Sequence, residues 1–150
     1  MPLVAVLMGS ANDAPLMQPC IDLLEEMGID YEVRAMSAHR NPEAVREYGL
    51  SAKGRGIEVI IAGAGGAAHL PGVLAAWTPL PVIGVPLATS ELKGVDALYS
   101  TVQMPSGVPV ASVGVNGAKN AALLAARILA LKYDKIAQAY KAFQEKQAGK

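Results

Sequence analysis

The chain of 150 residues is 52% apolar and only 5% aromatic, and its 13 basic residues balance 13 acidic ones. That length suits one domain with a single sizeable core, built here mainly from Ala, Val, Leu and Ile. Balanced charge argues against nucleic acid or an anionic membrane as partner, no apolar run approaches the ~20 residues of a bilayer span, and the lone Cys20 cannot close an internal disulfide, which fits a reducing, cytoplasmic compartment.

Leu3 to Met8 is an apolar run of strand length closed by Gly9-Ser10, and the start lacks the basic region of a signal peptide. Leu16, Met17, Cys20, Leu23, Leu24 and Met27 then recur at helical spacing, with Gly28 as the C-cap. Pro19 falls inside that pattern, where it would cost ~3 kcal/mol in a regular helix, so a kink is expected. Tyr31 to Met36 is a second strand candidate. Asn41-Pro42-Glu43 opens a helix to about Lys53, with a capping side chain, proline in the first turn and an acid at the positive end of the dipole. Val59 to Ala62 predicts a third strand, leading into Gly63-Ala64-Gly65-Gly66-Ala67-Ala68 and then His69-Leu70-Pro71-Gly72. A short helix to about Trp77 is broken by Thr78-Pro79-Leu80-Pro81.

Val82 to Val85 predicts strand four, and Val95 to Val102 a helix. Gln103 to Pro109 is a stiff connection whose length also suits a loop closing over a site. Val110 to Val115 predicts strand five, after which Asn116 caps a helix reaching about Leu131. Tyr133 to about Lys146 adds an amphipathic helix with Ile136, Ala137, Tyr140 and Phe143 on one stripe, available to its own domain or to a neighbouring subunit. Cys20, Trp77 and the methionines read as core or filler.

Five apolar strands alternating with helices imply an α/β fold, a three-layer α/β/α sandwich around a parallel five-stranded sheet in the flavodoxin-like order 2-1-3-4-5. A catalytic domain is expected over 1–131, with residues 132–150 as a C-terminal helix of the same domain, placed for packing in an oligomer. The small residues of 118–130 also allow close approach between subunits, which points to a symmetric homo-oligomer.

Ligands of such sheets bind beyond the carboxyl ends of the strands, beside the reversal of strand order. That rule selects the loops carrying Ser10, Asn12 and Asp13, Ser37 to Arg40, and Gly63 to His69, which together hold both histidines of the chain. Gly9-Ser10 ahead of a helix offers amides and a hydroxyl to an anion. Asp13 either caps that helix or accepts from sugar hydroxyls. Arg40, beside a capped helix start, is a surface charge or a phosphate clamp. His39 is the proton-carrier candidate, because an imidazole can give and take a proton in one cycle near neutrality. At a helix start, His69 should be a neutral hydrogen-bonding partner. Two histidines and one cysteine argue against structural zinc. The glycine/alanine loop is not a dinucleotide fingerprint; it offers a nearly bare backbone to a flat or very small ligand.

These motifs resemble the N5-carboxyaminoimidazole ribonucleotide mutases of bacterial purine synthesis. The resemblance lies in Met8-Gly9-Ser10 with Asp13, Ser37-Ala38-His39-Arg40, the ten residues Gly63 to Gly72, Gln103-Met104-Pro105 with Gly107 to Ala111, and Asn120 to Ala125. It implies a cytoplasmic, cofactor-free and metal-free isomerase assembled as a homo-octamer, whose small-molecule partners are a nucleotide and transient carbon dioxide. It further implies that Ser10 and Arg40 bind phosphate, that Asp13 binds ribose and that His39 is the proton shuttle. Asn12, Ser37, Ala38, Gly63, Ala64, Gly65, Gly66, Ala67, His69 and Leu70 would complete the substrate pocket. Asn12 stands where the family usually has serine, which implies an altered contact, and Gly114-Val115-Asn116-Gly117 also departs from its pattern. Three other readings are direct carboxylation of aminoimidazole ribonucleotide by carbon dioxide, a mononucleotide-binding module without catalysis, and a related domain of nickel-pincer cofactor synthesis that acts on a different nucleotide.

Overall fold

Parallel strands can be joined only by long crossovers, and here each crossover carries a helix. A computed structural model describes residues 1–149. The strands are β1 (Val4–Met8), β2 (Tyr31–Ala35), β3 (Val59–Gly65), β4 (Val82–Leu87) and β5 (Ala111–Ser112). The helices are α1 (Ala14–Glu26), α2 (Pro42–Ala52), α3 (Leu70–Trp77), α4 (Val95–Val102), α5 (Ala118–Ala130) and α6 (Asp134–Ala148). All strand pairs are parallel and the order is β2-β1-β3-β4-β5, the doubly wound topology expected.

The alternation of side chains along each strand divides the core in two. Val4, Val6, Met8, Val59 and Ile61 face α1 and α5, while Ala5, Leu7, Ile60 and Ala62 face α2 and α3. Burying each Leu or Ile contributes about 1.5–3 kcal/mol. Packing holds the sheet; its carboxyl rim is left free for loops.

Several local expectations need correction. β3 does not stop at Ala62 but continues through Gly65, paired with β4 as far as Leu87. Glycines there serve close packing: a Cβ at Gly63 would overlap the Met17 sulfur, and one at Gly65 would overlap the Thr89 hydroxyl. β5 is shorter than its apolar run, because beyond Ser112 the chain turns away and Asn116 (φ +57°) gives its amide to the Pro86 carbonyl at 2.8 Å. Pro86 is tolerated inside β4 because β5 has already ended on that side. Asn116 does not cap α5: its side-chain oxygen accepts from the Ala88 amide at 2.9 Å, and Gly117 occupies the cap position. Pro19 does lie inside α1, as its place in the helical pattern implied; Pro15 and Pro19 are both exposed, so water can reach the carbonyl that Pro19 leaves unpaired.

Trp77 is no core residue either, being 39% exposed with the Arg46 guanidinium 5.1 Å above its ring. Cys20 is buried as expected, and burial pushes its thiol up to about 12, which makes it inert. α6 lays Ile136, Ala139, Tyr140 and Phe143 against the α1–α5 core of its own chain. No helix among the described residues is long and apolar enough to cross a membrane.

Candidate active site

Three strand ends build the site, each by a different local device. After β1, Ser10 takes an extended conformation and its Oγ accepts from the Asn12 amide at 3.2 Å, capping a short 3-10 turn. The turn delivers Asp13, 7% exposed, to the floor of the cleft. Asp13 makes no side-chain cap bond to α1, so the capping alternative is not realised. Burial pushes its carboxyl above the usual range, partly offset by the Ser10 amide. Asn12 is exposed and lies outside the cleft walls.

After β2, one hydroxyl organises the loop. Ser37 Oγ accepts from the amides of His39 (3.3 Å) and Arg40 (3.1 Å), and the Ser37 carbonyl accepts from Asn41 at 2.9 Å. Asn41 then caps α2 by accepting from the Ala44 amide at 3.3 Å. This clamp displays His39 and Arg40 on the cleft wall beside Ser37 and Ala38. Among the described residues Arg40 has no carboxylate within ion-pair distance, so its fork of donors is open to a ligand.

After β3, the bare backbone reverses sharply. Gly66 (φ +59°) and Ala68 (φ +41°) both adopt left-handed conformations, and the Ala68 amide closes the turn on the Gly65 carbonyl at 3.0 Å. For alanine that conformation costs of order 1 kcal/mol. Its result is the placement of His69 at the start of α3, facing β2. His69 Nδ1 lies 2.6 Å from His39 Nε2, with ring centroids 4.7 Å apart and planes at 80°. One of these nitrogens must carry a hydrogen and the other a lone pair.

The cleft between these loops has a volume of about 330 Å³. Of the sequence-predicted residues it gathers Ser10 and Asp13 from β1, Ser37 to Arg40 from β2, and Ala64, Gly65, His69 and Leu70 from β3. Gly63 is buried beneath Met17, and Gly66 and Ala67 form the outside of the turn; none of the three is a wall residue. Gly9, Ala68 and Thr89 join the walls. The first two belong to motifs already read as significant, whereas Thr89 follows β4, one strand beyond the loops selected. The segment 103–109 lies outside the walls; its Met104 covers Gly72 at the start of α3.

Known proteins resemble the chain along nearly its whole length. The family described as AIR carboxylase matches residues 3–150. The N5-carboxyaminoimidazole ribonucleotide mutase of Thermotoga maritima is 58% identical over 146 residues, covering 97% of this chain and 85% of its own. The phosphoribosylaminoimidazole carboxylase of Saccharomyces cerevisiae is 58% identical over 128 residues, 85% of this chain but 22% of its own length. The crystal structure of Treponema denticola PurE superposes with a TM-score of 0.87 at 34% identity, covering 99% of this chain and 93% of that one.

Proposed function

The chain belongs to the AIR carboxylase family, and from that premise we propose that it converts N5-carboxyaminoimidazole ribonucleotide to 4-carboxy-5-aminoimidazole ribonucleotide in de novo purine (IMP) biosynthesis, with His39 as the proton carrier. The observation that carries this reading is the His39–His69 contact of 2.6 Å across a cleft lined by small residues, with an unpaired arginine on its rim.

Arg40 and the Ser10 hydroxyl hold the phosphate, and Asp13 accepts from the ribose hydroxyls. Ala38, Ala64, Gly65 and Ala68 leave room for the flat heterocycle to lie against backbone. In the first step the N5–carbon bond breaks, carbon dioxide departs, and the electron pair left on N5 takes a proton from His39. Attack of C4 on the trapped carbon dioxide forms the new carbon–carbon bond, and the C4 proton returns to His39. The cycle ends with the enzyme unchanged, and its proton balance needs no other group. His69 orients the His39 ring before substrate arrives, and the heterocycle competes with it for Nε2. Neutral carbon dioxide offers little to grip electrostatically, so it is kept by walls and short residence rather than by charge.

The same reading carries a cytoplasmic homo-octamer. Its support is that Leu92, Val95, Tyr99 and Val102, on and beside α4, are apolar yet exposed in the single chain, which suits burial against neighbouring copies. Light scattering of the purified protein at eight chain masses is the expected result.

A second reading, direct carboxylation of aminoimidazole ribonucleotide, is favoured by the name of the Saccharomyces cerevisiae relative. Offering the carbamate in one assay and aminoimidazole ribonucleotide with bicarbonate in another separates the two. Rapid formation of the 4-carboxylate from the carbamate alone is expected. Turnover that needs added bicarbonate and ignores the carbamate would overturn the mutase assignment.

A further inference from the structure

We propose that Thr89 determines where the carboxylate goes: its hydroxyl gives a hydrogen bond to an oxygen of the migrating group and holds it at the heterocycle end of the cleft. This rests on the mutase reading above and adds a residue to it.

Thr89 stands two positions beyond β4 in a turn fixed from both sides. Its own amide gives to the Leu87 carbonyl at 3.0 Å, the Ala88 amide gives to Asn116 Oδ1 at 2.9 Å, and the Asn116 amide gives to the Pro86 carbonyl at 2.8 Å. The Thr89 hydroxyl fills the space where a side chain on Gly65 would otherwise be, which sets it against the end of β3 on the cleft wall. Its neighbour shows the contrast. The Ser90 hydroxyl is engaged, giving to Asp96 at 2.6 Å and accepting from the Leu92 amide at 3.3 Å, whereas Thr89 Oγ1 has no hydrogen-bond partner among the described residues.

Position along the rim supplies the ligand chemistry. With strands about 4.8 Å apart, β4 lies roughly 10 Å from β1 and 14 Å from β2. A nucleotide with its phosphate on Ser10 and Arg40 therefore presents its base to the loops after β3 and β4. The hydroxyl there meets the carbamate before transfer and the C4 carboxylate after it, a charge-assisted contact at both stages.

The test feeds the carbamate to the wild-type protein, Thr89→Val and Thr89→Ser, with a protein-free blank to subtract spontaneous decay. Two quantities are read: kcat/KM for the 4-carboxylate, and the share of carbamate released as aminoimidazole ribonucleotide with carbon dioxide. Thr89→Val preserves shape and should lower kcat/KM about 10- to 100-fold while raising the released share; Thr89→Ser should restore both. An active wild type with Thr89→Val unchanged in both quantities overturns this inference alone. A wild type inert toward the carbamate sinks the activity and this inference together.

Discussion

The two ends of the sheet treat their polar side chains in opposite ways. At the amino end, Glu32 of β2 accepts from the Tyr48 hydroxyl at 2.6 Å and from both terminal nitrogens of Arg55 at 3.0 and 3.1 Å. Glu58, just before β3, likewise accepts from Lys132 and Tyr133. At the carboxyl end, Arg40 has no acid beside it, and Asp13 is buried without a cation. Saturated polar groups hold the fold, and unsaturated ones wait for a ligand. For buried Asp13 the difference is physical: desolvating a charge without a partner destabilises the free protein and is offset only when substrate supplies the partner, whereas Arg40 is exposed and stays hydrated until then.

The contrast predicts that substitutions at the carboxyl end affect turnover and spare the fold. His39→Asn should show the largest effect, a loss of about 100- to 10,000-fold in kcat with an unchanged melting temperature and retained nucleotide binding by calorimetry. Turnover within about tenfold of the parent removes His39 from the role of proton carrier. Arg40→Met comes next. Loss of a charged hydrogen-bond donor to phosphate should raise KM about 10- to 100-fold, with kcat much less affected. A fall in kcat at constant KM would instead place Arg40 at the reacting atoms.

Much of this division was legible in the sequence, for identifiable reasons. Apolar strands separated by helical repeats announce a doubly wound sheet, and the switch-point rule leads directly to Ser10, Ser37 to Arg40 and His69. The glycines were harder. Gly63 and Gly65 read as loop because nothing nearby in sequence reveals that Met17 and Thr89 occupy the space above them. Asn116 looks like a helix cap from its neighbours, yet its side chain answers the Ala88 amide, 28 residues away in sequence. Thr89 carries no motif at all. Its importance arises from a bare β3 backbone and a turn held by Asn116, both non-local facts.

At the amino end the prediction has the reverse form, a loss of stability without a loss of activity. Glu32→Gln should lower the unfolding free energy by about 1–3 kcal/mol, read from urea titration at pH 7, with kcat/KM unchanged. The Arg55 guanidinium holds the Glu32 carboxyl below its ordinary range, with Tyr48 assisting. A lowered folded value means that this stability is present above the unfolded value of about 4.3 and is lost as pH falls through the folded one. The variant should therefore show a shallower acid limb than the wild type below that pH. An identical limb would mean that Arg55 and Tyr48 contribute nothing through this carboxylate.

The smallest expected effect has the opposite sign. Burial raises the Asp13 carboxyl, so its contribution to stability is full below the unfolded value and is lost as pH rises through the folded one. At neutral pH the ionised group therefore strains the free protein. Asp13→Asn keeps the shape and still accepts from the Ser10 amide, yet removes the charge. It should stabilise the fold by about 0.5–1 kcal/mol at pH 7, a gain that shrinks as pH falls and the wild-type carboxyl protonates. Weaker ribose recognition should appear alongside as a raised KM. A destabilised Asp13→Asn protein would show that Asp13 supports the fold as Glu32 does, and the division between the two ends of the sheet would then fail at its most exacting position.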